Sequence, residues 1–193
     1  MSNRSLGALA QRVALHIESL VPQGRARCLD IGCGDMALVQ ALEARGSRHD
    51  KTRTDWYCID VHRAPEAQGQ YDDSCWRKYR QFDGRTIPYA DGEFDVALLC
   101  DVLHHAPEDA AQLLAEAGRV ARHVLVKDGF DDVRTFGRVA ARPSFTREGF
   151  VRLALEQRLV ITALDSGLDD ACEPVPGALL RPDSQFIAVL RTS

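Results

Sequence analysis

With 193 residues, 45% of them hydrophobic and 27% charged, the chain has the composition of a soluble globular domain large enough for one real core. A net charge of −4 excludes the basic surface that nucleic acid or anionic lipid demands, and no apolar run approaches the roughly 20 residues that span a bilayer. The six cysteines are scattered without a C-x-x-C pair, and Cys28, Cys58 and Cys100 fall in predicted buried strands. That pattern predicts free thiols in a reducing, cytoplasmic setting, with neither a disulfide framework nor a zinc site.

The N-terminal residues 1–5 are not followed by the apolar core of a leader peptide. Residues 6–20 carry Leu6, Leu9, Ala10, Val13, Ile17 and Leu20 at helical spacing, and Pro22 follows. Next comes Arg27-Cys28-Leu29-Asp30-Ile31-Gly32-Cys33-Gly34-Asp35-Met36, which reads as a buried strand stopping in a glycine turn. A helix with Met36, Val39 and Leu42 on its apolar face begins at once after it. A strand, a glycine turn and a helix N-terminus together form a nucleotide-sized cradle. Gly32-x-Gly34-x-x-Ala37 fits the dinucleotide pattern, but Asp30 and Asp35 would put carboxylates where a pyrophosphate needs only N–H groups. A cationic ligand suits the same turn.

Residues 46–55 read as an exposed polar loop, and Trp56-Tyr57-Cys58-Ile59-Asp60 as a second strand ending on an acid. In Rossmann-like folds an acid at that tip bonds the ribose diol of a nucleotide, although a strand-end Asp can equally cap a turn. Residues 62–76 have no clear period. A short edge strand over residues 78–82 ends in Asp83-Gly84, which alone predicts a turn. The segment Ile87-Pro88-Tyr89-Ala90-Asp91-Gly92-Glu93-Phe94-Asp95 then enters a buried strand that closes on Cys100-Asp101-Val102-Leu103-His104-His105.

The first block, Asp30-x-Gly32-x-Gly34, resembles the first motif of class I S-adenosylmethionine-dependent methyltransferases of the small-molecule, type 11/12-like kind, with Met36 where a third glycine is usual. The second block looks like that family's L-P-F-x-D-x-x-F-D stretch running into D-x-L-H-H, and the likeness covers residues 25–192. It implies an α/β, Rossmann-like doubly wound sheet of about seven strands, mostly parallel with an antiparallel last strand. It implies S-adenosyl-L-methionine as cofactor, held by Asp30, Gly32, Cys33, Gly34, Asp60, Asp83, Gly84 and Asp101. In that reading Asp60 takes the ribose and Asp83 the adenine amino group.

Past Pro107 a helix is predicted with Glu108 and Asp109 at its positive end, then a fifth strand over residues 123–128. The family's frequent L-x-P-G-G turn is replaced by Val120-Ala121-Arg122, which makes that connection tight. Residues 129–145 sit where a lid over the substrate would be, and a helix starts near Phe145. Two last strands, residues 159–164 and 185–190, flank a Gly/Pro-rich loop over residues 165–183. The whole of residues 1–193 is expected to be one domain, with residues 1–24 as its N-terminal helix.

In open parallel sheets ligand groups meet at the carboxyl ends of strands, where Asp101, the His104–His105 pair and Asp128 all fall. Histidine ordinarily titrates nearest neutral pH, and a carboxylate beside it can fix its tautomer. His104 or His105 as base, with Asp128, is therefore the catalytic expectation, and adjacent residues point apart, so one of the two faces the substrate. The histidines could instead only shape the pocket. Asp101, His104, His105 and Glu108 also have the i, i+3, i+4, i+7 spacing of a metal face, which Pro107 interrupts, so no metal is expected. The expected partner is a small-molecule methyl acceptor, with no nucleic acid or membrane, and the compact chain suits a homodimer. Two other functions share the cradle: a cofactor-binding protein that regulates a partner without turnover, and an NAD-linked oxidoreductase, for which no hydride-transfer group is evident.

Overall fold

A computed structural model describes residues 3–22, 24–46, 52–62, 78–131, 145–168 and 183–192. In chain order the elements are α1 (Asn3–Leu20), β1 (Gly24–Ile31), α2 (Ala37–Gly46), β2 (Thr52–Asp60), β3 (Tyr79–Gln81) and β4 (Phe94–Cys100). A single turn of 3-10 helix, Leu103–His105, follows, then α3 (Ala110–Val120), β5 (Ala121–Asp131), α4 (Arg147–Glu156), β6 (Leu159–Leu168) and β7 (Asp183–Thr192). The strands form one seven-stranded sheet in the order β3-β2-β1-β4-β5-β7-β6. Only β7 runs antiparallel, pairing that way with both β5 and β6. This is the doubly wound arrangement expected from the sequence.

Strand alternation sorts the core into two layers. Leu29 and Ile31 of β1, Ala97 and Leu99 of β4, and Val124 and Val126 of β5 pack with α3 and α4. Cys28 of β1, Val96 and Leu98 of β4, and Leu125 of β5 pack with α1 and α2. The period of two therefore places Asp30 and Lys127 on the α1/α2 face, and Asp128 on the opposite one. β1 has β2 on one side and β4 on the other, so the chain reverses direction across the sheet at the carboxyl end of β1, where such folds bind ligands.

Several boundaries differ from the sequence expectation. β2 starts at Thr52, not after residue 55, because β1 pairs with it in continuous register from Gly24↔Thr52. Thr52 is buried and its hydroxyl donates to the Val21 carbonyl at 2.6 Å, so a polar stretch is drawn into the sheet. The predicted lid over residues 129–145 begins instead as strand, since Gly129–Asp131 continue β5 against β7; residues 132–144 lie outside the described residues. Likewise Asp165–Leu168, expected in a loop, extend β6 along β7 with a register shift between Ser166 and Leu168. The helix predicted from Pro107 starts only at Ala110, with Asp109 as its N-cap, because Pro107–Asp109 form a turn. The tight α3–β5 connection is as expected: the strand begins at the residue after the helix ends.

The segment before β4 is held chiefly by Arg119 and Glu116 of α3. Arg119, in the last turn of α3, donates to the carbonyls of Tyr89 and Ile87, each at 2.9 Å, and to Asp91 at 2.8 Å. Its own carbonyl accepts from Gly92 N–H, and Glu116 grips its guanidinium while accepting from Ile87 N–H at 2.9 Å. Arg119 thus ties the loop to the helix that packs beneath it. That fixes where β4, and with it Asp101 and the histidines, emerges from the sheet.

Candidate active site

At the end of β1 the chain turns over the tip of β2. Gly32 and Cys33 both donate N–H to the Ile59 carbonyl, at 2.8 and 3.2 Å. Gly32 has φ +74°, and a Cβ there would lie 2.7 Å from Val102 Cγ2, so both backbone angle and space require glycine. Gly32→Ala is therefore expected to destabilise the fold by about 1–3 kcal/mol. Denaturant unfolding checks this, and a variant within about 0.5 kcal/mol of the parent would show that the turn relaxes freely. Met36, where the family's third glycine is usual, also takes a left-handed φ of +61°. That strain costs about 1–2 kcal/mol. Complete burial of its side chain beside Val39 and Leu42 offsets it by a similar amount. The turn keeps the glycine-like path without the glycine.

Asp60 closes the turn. Its Oδ2 accepts from Gly34 N–H at 2.8 Å and its Oδ1 from His62 N–H at 2.9 Å, and the residue is buried. Asp83 and Gly84 follow β3, next to the tip of β2: Phe82 N–H donates to the Asp60 carbonyl, and a Cβ on Gly84 would meet Val61 at 3.0 Å. One oxygen of the exposed Asp83 carboxylate caps the turn by accepting from Arg85 and Thr86 N–H, which holds its pKa below the usual carboxylate value.

A cleft of about 350 Å³ opens at this switch point, lined by Leu6, Leu9, Asp30, Gly32, Cys33, Asp35, Ala37, Leu38, Cys100 and Asp101. Its size is in the range of small-ligand sites. It gathers Asp30, Gly32, Cys33 and Asp101 from the sequence expectation; Gly34, Asp60, Asp83 and Gly84 stand behind and beside it and are not in its wall. Leu6 and Leu9 of α1 were legible only as core positions of an amphipathic helix. Asp30 is 3% exposed, and burial, together with the nearby Asp60 charge, pushes its pKa up to about 7. Asp30 and Asp35 in one small wall fit a cationic adenosyl ligand and oppose a pyrophosphate.

Beyond β4 the two histidines differ in burial, but their rings lie against each other and do not point apart as the sequence led one to expect. His104 is buried and its Nδ1 lies 2.7 Å from Asp128 Oδ1, while its backbone N–H donates to Asp128 Oδ2 at 3.3 Å. Asp128 Oδ1 also accepts from Gly129 N–H at 2.8 Å. Asp128 is 1% exposed and its carboxylate can only accept, so in a neutral His104 imidazole Nδ1 carries the hydrogen and Nε2 is the acceptor. That Nε2 is buried without a hydrogen-bond partner among the described residues. His105 is exposed, its ring 4.1 Å from that of His104.

Asp101, His104 and Asp128 each present an atom within 4.8 Å of the other two. The cationic place beside Asp101 is filled by Lys127, whose Nζ is 2.7 Å from both carboxylate oxygens. Lys127 drew no attention in the sequence, although a lysine inside a run of buried strand residues was a visible signal.

A family model described as a methyltransferase domain matches residues 29–124. Comparison with curated proteins returns no match. Among solved structures the chain is similar to a SAM-dependent methyltransferase from Methanosarcina mazei (TM-score 0.60, 14% identity, 88% of this chain and 93% of that one). It is similar to the 1,6-didemethyltoxoflavin-N1-methyltransferase of Burkholderia thailandensis with S-adenosylhomocysteine bound (0.63, 18%, 95% and 78%). It also resembles the geranyl diphosphate C-methyltransferase of Streptomyces coelicolor A3(2) with Mg2+, geranyl diphosphate and S-adenosyl-L-homocysteine (0.65, 12%, 95% and 80%). At these identities the structural likeness speaks to the fold, and the matched motifs speak to the family. Together they place the chain in the class I S-adenosylmethionine-dependent methyltransferase family.

Proposed function

We propose that this enzyme, one domain over its whole length, methylates a small-molecule nucleophile by in-line displacement, with His104 receiving the acceptor's proton. S-adenosylmethionine, when bound, supplies a methyl group already activated by a sulfonium. The chain's own tasks are to place the acceptor, exclude water and take up a proton. Placement of that kind is worth roughly 7–11 kcal/mol in favourable cases.

The observation that carries the reading is the buried His104–Asp128 pair beside the cleft at β1 and β4, with Nε2 facing no partner among the described residues. Leaving a buried polar atom unpaired costs about 1–3 kcal/mol, a cost that a polar acceptor group would remove. Asp128 holds the tautomer that keeps Nε2 able to accept. For the cofactor, Asp30, Gly32, Cys33 and Asp101 would line its amino-acid end, Gly34 and Asp60 the ribose, and Asp83–Gly84 the adenine. A small acceptor is supported by the modest cleft and by the 1,6-didemethyltoxoflavin and geranyl diphosphate that two structural neighbours hold. Among the described residues no helix is long and apolar enough to cross a membrane.

Calorimetric titration with S-adenosylmethionine and S-adenosylhomocysteine tests the cofactor site. Both ligands are expected to bind, and Asp60→Ala to weaken each by about 1.5–3 kcal/mol, the scale of a charge-assisted hydrogen bond. Because Asp60 also pins Gly34, Asp60→Asn serves as a control that retains an acceptor oxygen for the turn. Unchanged affinity in the alanine variant removes the ribose role from Asp60.

A further inference from the structure

We propose that Lys127 is a positioning residue that neutralises Asp101 in the wall of the cleft, so that the Asp101 carboxylate does not hold the cofactor's sulfonium; this rests on the cofactor reading above. Lys127 is 4% exposed and lies on the α1/α2 face of β5, the face on which the cleft opens. It holds Asp101 twice. Its carbonyl accepts from Asp101 N–H at 2.8 Å, and its Nζ bonds both carboxylate oxygens at 2.7 Å. Asp101 is kept by this grip at φ +56°, a left-handed angle that a non-glycine residue adopts only when its surroundings impose it. Its side chain stays about one-third exposed in the cleft wall.

Stability does not explain the pair. Burying a lysine costs several kcal/mol of desolvation, and an apolar pair of similar volume is often as stable or more so. The sulfonium chemistry does explain it. In methyl transfer the nucleophile's lone pair forms a bond to carbon, the C–S bond breaks, and its electron pair stays on sulfur. A cation becomes a neutral thioether. A bare carboxylate beside the sulfur favours the cation before reaction more than the transition state in which that charge is dissipating, and so slows transfer. Lys127 cancels that preference while leaving the Asp101 oxygens fixed.

The charge difference between the two ligands makes the test. The ratio of Kd for S-adenosylhomocysteine to Kd for S-adenosylmethionine is measured by calorimetry in the parent chain and three variants, with folding checked by circular dichroism. At the effective dielectric of a partly exposed site, a unit charge roughly 10 Å from a cation changes its binding by about tenfold. Lys127→Met is expected to raise the ratio about tenfold, Asp101→Asn to lower it about tenfold, and the double variant to restore it. A purely structural role would move both ligands together and leave the ratio fixed, and that result overturns the proposal. Should Lys127→Met not fold, Asp101→Asn decides alone, and a ratio that does not fall overturns it. A parent chain that binds neither ligand overturns the cofactor reading itself, an outcome distinct from normal binding with an unmoved ratio.

Discussion

His104→Gln and Asp128→Asn should each lower turnover by about 10²–10⁴-fold, with affinity for S-adenosylmethionine held within about twofold of the parent. The two substitutions act differently on the same atom. Gln removes the imidazole. Asn can turn its amide NH2 toward Nδ1, 2.7 Å away in the parent, which favours the tautomer with hydrogen on Nε2 and abolishes the acceptor there. His105→Gln, at an exposed ring, should retain most activity. Since His104 and Asp128 also secure the turn after β4, unfolding midpoints must accompany the kinetics. A base is recognised by a fall in kcat with binding intact, whereas a loosened pocket raises KM. If both variants keep parental kcat, the acceptor is merely placed and proton transfer lies elsewhere.

The parts legible in the sequence are those in which neighbouring residues determine one another. The first strand, its glycine turn and the following helix are contiguous, so Cys28–Met36 alone specify the cradle, and an acid closing the second apolar run marks Asp60. The choice between His104 and His105 was not legible, because it depends on which of two touching rings is buried against Asp128, a residue that the next strand supplies. Lys127 was not legible for a related reason: its partner Asp101 follows the end of another strand, and only the β4–β5 pairing brings the two together. Strand lengths were underestimated wherever pairing overrides composition. Thr52–Asp55 follow β1, and Asp165–Leu168 follow β7, through hydrogen bonds whose acceptors are remote in sequence. Asp83 shows the converse case, where local turn chemistry is evident and the ligand role is not.

Asp30 should make the ligand-free protein less stable as pH rises, the reverse of the usual carboxylate. Its pKa is pushed up to about 7 by burial at 3% exposure and secondarily by the Asp60 charge, against an unfolded value of 3.8. Below the unfolded value the group is protonated in both states and contributes nothing. Between the two values the folded state holds the proton that the unfolded chain has released, so unfolding stability falls with rising pH. The slope from this group is at most about 1.4 kcal/mol per pH unit, and it levels off above the folded pKa. Asp30→Asn keeps the shape and removes the charge. Denaturant unfolding without ligand should therefore show the variant gaining several kcal/mol over the parent at pH 8 and little at pH 4. A pH-independent difference between the two proteins would show that Asp30 ionises normally in the fold. The same variant should bind S-adenosylmethionine more weakly, because the buried charge that costs stability is one a cationic ligand compensates. In the parent that compensation lowers the Asp30 pKa, so binding near pH 6.5 should release a proton. Calorimetry in buffers of different ionisation enthalpy reads that release, and Asp30→Asn should abolish it. A carboxylate that weakens the empty protein and strengthens the loaded one couples cofactor occupancy to the stability of the cradle.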